Sequence, residues 1–166
     1  MSSIGFSLVF ACATPFVALV TLAALNMDRR DVFIVTGAVW LANQAVGYGI
    51  LGYPQNFNSY AWGAAIGIAV LLALGAALAV GGQLERRGSS LVATGATFAA
   101  AFVVYELALY VAAFWLSSSS SAFSWPIIGY ILQVNALGLA GLLVVRLIAA
   151  YTGLPTRPYL HAASRC

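Results

Sequence analysis

Five stretches of this chain, Ile4 to Met27, Val32 to Leu51, Tyr60 to Gln83, Leu91 to Leu116 and Trp125 to Tyr151, are almost free of charge. Three contain no Asp, Glu, Lys or Arg, and the other two carry one such residue each, Glu106 and Arg146. In hydrocarbon a backbone must satisfy its own N–H and C=O groups, and a run of about 20 apolar residues is long enough to do so as a helix that crosses a bilayer. The expected fold class is therefore an all-α integral membrane protein. It is a single bundle of five transmembrane helices over residues 1–152, with a short tail over 153–166.

The breaks between these stretches alternate in character. Asp28-Arg29-Arg30-Asp31 and Leu84-Glu85-Arg86-Arg87-Gly88 are charged, whereas Gly52 to Ser59 and Ser117 to Ser124 are not. A five-helix threading puts Arg29, Arg30, Arg86, Arg87, Arg146, Arg157 and Arg165 on one side and no basic residue on the other. By the positive-inside rule the N-terminus is then outside and the C-terminus cytoplasmic, as in a multi-pass protein of an inner membrane. A four- or six-helix threading would scatter Arg over both faces. Ala11-Cys12-Ala13 resembles a cleavage site, but no basic residue precedes the stretch and Arg29-Arg30 follow it, which orients it as an anchor. Tyr53, Phe57, Tyr60 and Trp62 gather around one uncharged break and Trp115, Phe123 and Trp125 around the other, as interfacial belts do.

The few reactive side chains exclude several function classes. Net charge is +3, but the Arg residues form no basic stripe, so nucleic-acid binding is not expected. All basic residues are Arg, which removes lysine Schiff bases and lysine nucleophiles. The one histidine, His161, lies beyond the last apolar stretch, and Cys12 and Cys166 sit at different depths, which leaves no ligand set for haem or metal and no disulfide. No cofactor and no metal are expected. There is no catalytic acid/base pair and no nucleophile beside its base, so an enzyme is not the expected class.

What remains is a layer of polar side chains inside apolar segments, where an unpartnered carboxyl or amide is costly. Glu106 lies ten residues from Leu116, on the order of 15 Å along a helix and about mid-bilayer. Spacing puts Gly95, Ala99, Phe102, Glu106, Tyr110 and Ala113 on one face, expected to point into the bundle. Asn43 and Gln44 in the second segment and Gln133 and Asn135 in the fifth reach comparable depth. Gln44 stacks with Trp40 and Tyr48 one turn away on either side. Asn135, Gly138, Leu142 and Arg146 share one face of the fifth helix, and Gln133 sits on another.

The candidate binding residues are therefore Glu106, Asn43, Gln44, Tyr110, Gln133, Asn135 and Trp40. They form either a site for a small polar solute or ion, or a set of neutral hydrogen bonds that holds the bundle together. The first function this implies is a membrane transport or solute-binding component. The alternative is an accessory or assembly subunit of a larger membrane complex with no catalytic site of its own. Partners are the lipid bilayer and a membrane protein or second copy. Gly63 and Gly67 form a GxxxG face, continued by Gly75, that serves packing within the chain or contact with such a partner.

Overall fold

The computed structural model describes residues 14–84, 90–116 and 124–152. Among them the fold is all-helical, with five helices: α1 Phe16–Asn26, α2 Arg29–Gly49, α3 Phe57–Leu84, α4 Ser90–Trp115 and α5 Trp125–Tyr151. Helices α2 to α5 are long and apolar enough to cross a membrane, and α1 is a shorter apolar helix.

The first of these departs from the sequence expectation. In place of a continuous helix from Ile4 to Met27, the described part of the segment is helical only over Phe16–Asn26. Residues 4–13 lie outside the described residues. Eleven residues make about 16 Å of helix, roughly half the thickness of a bilayer's hydrocarbon. Pro15 is the physical cause, because its ring disfavours helical backbone at Thr14 and so sets the start of the helix. At the other end Met27 and Asp28 are both extended, which reverses the chain directly into α2.

Helix α2 begins at Arg29, not Val32, since Arg29, Arg30 and Asp31 are exposed and cost the helix nothing. It ends at a tight return. Gly52 adopts φ 65°, a left-handed conformation open to glycine, and the Tyr53 N–H then reaches back to the Gly47 carbonyl at 3.0 Å. The Tyr53 ring lies over Gly47, where a Cβ would stand 2.5 Å from it. Tyr48 meets Tyr53 edge-on at 5.9 Å and Tyr60 at 5.0 Å, which ties the end of α2 to the start of α3. The Asn56 side chain caps α3 by accepting the Ser59 N–H at 2.9 Å.

The core is built on α3 and α4. On α3 it comprises Trp62, Ile66, Ala69, Val70, Ala73, Leu74 and Ala77. On α4 the buried positions recur every fourth residue from Ala93 through Thr97, Ala101, Tyr105 and Leu109 to Ala113. Small residues along both stripes allow the close backbone approach that drives helix association where no hydrophobic force acts between helices. Helix α1 completes this core with Phe16, Val17, Val20 and Ala24. Trp62, expected in an interfacial belt, is in fact 7% exposed and belongs to the core, whereas Phe57, Trp115 and Trp125 project outward.

Helices α2 and α5 are peripheral, and α5 leans mainly on α1. Ile34, Leu41 and Val46 of α2 and Leu137, Val144, Leu147 and Ile148 of α5 all face outward. An apolar exterior of this extent matches a lipid solvent and would be an aggregation surface in water.

Candidate functional site

The start of α1 is where polar side chains from three helices meet. A helix leaves its first N–H groups without intrahelical acceptors, and here those groups are enclosed by α2 and α5. Asn135 of α5, fully buried, accepts the Val17 N–H with its Oδ1 at 3.1 Å and donates Nδ2 to the Ile131 carbonyl at 3.0 Å. Asn43 of α2 donates its Nδ2 to the Thr14 hydroxyl at 2.7 Å, and Gln44 donates weakly to the Asn43 Oδ1 at 3.5 Å. Gly138 sits where any Cβ would lie 2.6 Å from the Pro15 ring, so the α5 backbone packs directly on the side chains of Pro15 and Ala18 at this level. Two amides thus hold a helix end in place, each satisfied by the contact it makes.

The remaining candidates lie elsewhere. Trp40 donates its Nε1 to the Gly63 carbonyl at 3.0 Å. Trp40, Gln44 and Tyr48 together cover the GxxxG face. A Cβ on Gly67 would stand 2.8 Å from the Trp40 ring, and one on Gly63 would stand 2.6 Å from Gln44 Oε1. The Gly63/Gly67 face is therefore filled from within the chain, while Gly75 faces open space. Gln133 is exposed on α5 and Tyr110 is 59% exposed on α4.

Glu106 is half-buried at the edge of α4's inner face, one turn beyond the stacked rings of Phe98 and Phe102. Its Oε1 is enclosed, without a hydrogen-bond partner among the described residues. Of the stripe expected to point inward, Ala113 is buried and Phe102 and Glu106 are half-buried, but the rest turns out of the core. Gly95, Ala99 and Tyr110 are exposed, and Thr97, Ala101, Tyr105 and Leu109 take their place in the core. The hydrogen bonds of Asn43 and Asn135 run to α1 and to their own helices, so the amides and Glu106 do not form one joined layer.

Two features of this arrangement went unread in the sequence. Thr14 and Val17 are the groups the amides serve, and Pro15 was the signal, since a proline inside an apolar run implies a helix start and N–H groups that need acceptors. The second is a cleft of about 420 Å³ between α1, α2 and α5, apolar except for Asn26, Thr36 and Arg146. Among the described residues no group of three or more His, Cys, Asp or Glu side chains is placed to hold a metal ion. No family model matches this chain, and no curated protein or solved structure matches it.

Proposed function

We propose that this chain is a multi-pass inner-membrane protein, with five membrane-embedded helices, an external N-terminus and a cytoplasmic C-terminus, that works as an accessory or assembly subunit of a larger membrane complex. The threading is supported by which ends of the helices lie together. Thr14 bonds to Asn43 near the end of α2, and Val17 to Asn135 in the first half of α5, so these regions share one level. At the other end Asn26 and Met27 share a cleft with Arg146 and Ala149, which puts Arg146 on the same side as Arg29 and Arg30.

The observation that carries the subunit reading is the outward placement of Gln133 on α5, beside the exposed apolar side chains of Leu132 and Leu137. An amide facing lipid at that depth is expensive, and a neighbouring protein's helix would supply its hydrogen bonds. Asn43 and Asn135, by contrast, are already engaged within the chain. Affinity purification from native membranes in mild detergent, at the natural expression level, is expected to recover stoichiometric membrane polypeptides with the chain. Recovery of the chain alone would overturn the subunit reading.

A second reading, a transport or solute- and ion-binding component, has one observation in its favour: the enclosed, unpartnered Oε1 of Glu106. Glu106→Gln keeps the shape and most hydrogen-bonding capacity but removes ionisation. For a structural carboxyl the variant should keep its thermal stability within about 0.5 kcal/mol of wild type and match it in growth and uptake. For a transport site it should stay folded and lose the pH dependence of uptake. Wild-type behaviour across pH would dispose of the second reading.

A further inference from the structure

The cleft between α1, α2 and α5 has a shape and polarity distribution that the subunit reading does not use. Its walls are Phe16, Val20 and Ala23 on one side and Val39, Leu142 and Val145 on others. It follows α1 from Phe16 to Met27, about 16 Å at 1.5 Å per residue and so roughly one leaflet of hydrocarbon. Its volume of about 420 Å³ falls among those of small-molecule sites. Polar groups are confined to a few positions, and the one charge is Arg146, at the end where α1 turns into α2. Among the described residues no carboxylate lines the cleft. Arg29 and Arg30 at the same end are exposed between the equally exposed Asp28 and Asp31, so Arg146 is the cation of the cleft; it lies five residues from the end of α5, within reach of an interface by its flexible stem.

We propose that this cleft holds an anionic phospholipid of the leaflet on the arginine-bearing side, one acyl chain between the helices and its phosphate on Arg146. The chain length matches because α1 is a half-length helix, so the space it shares with α2 and α5 spans one leaflet. The charge matches because a guanidinium lacking a carboxylate in its own cleft pairs well with a phosphate, in a bidentate fashion that an ammonium cannot copy. Basic pockets between membrane helices on the cytoplasmic side take anionic headgroups for the same reason.

The test uses the full chain in a neutral detergent, mixed with phosphatidylglycerol or phosphatidylcholine of identical acyl chains and read by native mass spectrometry. Wild type is expected to retain phosphatidylglycerol about fivefold better, the equivalent of one interfacial cation. Arg146→Gln should lose that preference, and Arg146→Lys should keep most of it while weakening retention. Val145→Trp, at a lining position that is mostly exposed, should fill the cleft and reduce retention of both lipids while the protein stays folded. Equal retention of the two lipids by wild type, or a preference that Arg146→Gln leaves intact, would overturn the proposal. So would competition by glycerophosphoglycerol as effective as that by the intact lipid, which would mark a headgroup site alone. Retention of neither lipid would overturn it too.

Discussion

Asn135→Leu should destabilise the detergent-purified protein by about 1 to 3 kcal/mol, the cost of leaving a buried backbone donor without its acceptor. Leucine keeps the forked outline of asparagine with bulkier ends, and it loses both the bond from the Val17 N–H and the bond to the Ile131 carbonyl. The damage should also be directional. Because α5 leans chiefly on α1, separating them at this level frees α5 before it disturbs the α3–α4 pair. Amide hydrogen exchange should therefore rise first at the start of α1 and along α5. Gln133→Leu, two residues away and exposed, is the control and should change stability by no more than about 0.5 kcal/mol in detergent. Equal losses in the two variants would refute the capping role of Asn135.

The second large effect concerns the contact of α2 with α3. Gly67→Leu places a branched side chain where even a Cβ would stand 2.8 Å from the Trp40 ring. Trp40 is itself fixed by its hydrogen bond to the Gly63 carbonyl, so it cannot yield without breaking that bond. Overpacking of about 1 to 3 kcal/mol adds to about 1 kcal/mol for the lost bond. The result is a displaced α2 and a shift in tryptophan fluorescence. Gly75→Leu, on the same helix and facing open space, should leave both melting temperature and spectrum close to wild type. A Gly67→Leu protein that melts like wild type would mean that α2 is not held through this face.

Helix number and class were legible because uncharged runs of this length have few alternatives in any solvent. Helix ends were less so. Arg29 to Asp31 read as a break on polarity, yet an exposed first turn tolerates charge, and Asp28 and Asp31 suit the positive end of a helix. Pro15 lay inside a continuous apolar run and was absorbed into it, although the helix starts there. The face of α4 was misread for a different reason. Small and apolar residues lie on every side of that helix, so the spacing of Gly95 and Ala99 was as good a packing stripe as the spacing of Ala93, Thr97 and Ala101, and Ala113 fits both. The choice between them belongs to α3 and α1, which a pattern along α4 alone does not contain. By contrast, the face of Asn135, Gly138, Leu142 and Arg146 on α5 does turn toward α1, where Asn135 meets the Val17 N–H and Gly138 the Pro15 ring.

For the candidate site, the residue types were visible and their pairing was not. Asn43 and Asn135 were recognisable as amides needing partners at similar depth. That they would spend their bonds on the start of α1, and not on Glu106, follows from where that helix begins.

The bond between Val17 and Asn135 joins residues 118 positions apart. At ribosomal rates of about 5 to 20 residues per second, the acceptor for that N–H is made roughly 6 to 24 s after its donor. Throughout that interval α1 is a short apolar helix whose first turn must find water, lipid headgroups or a chaperone in place of the missing amide. Of the five described helices, the one made first thus waits for the one made last before its own first turn is satisfied.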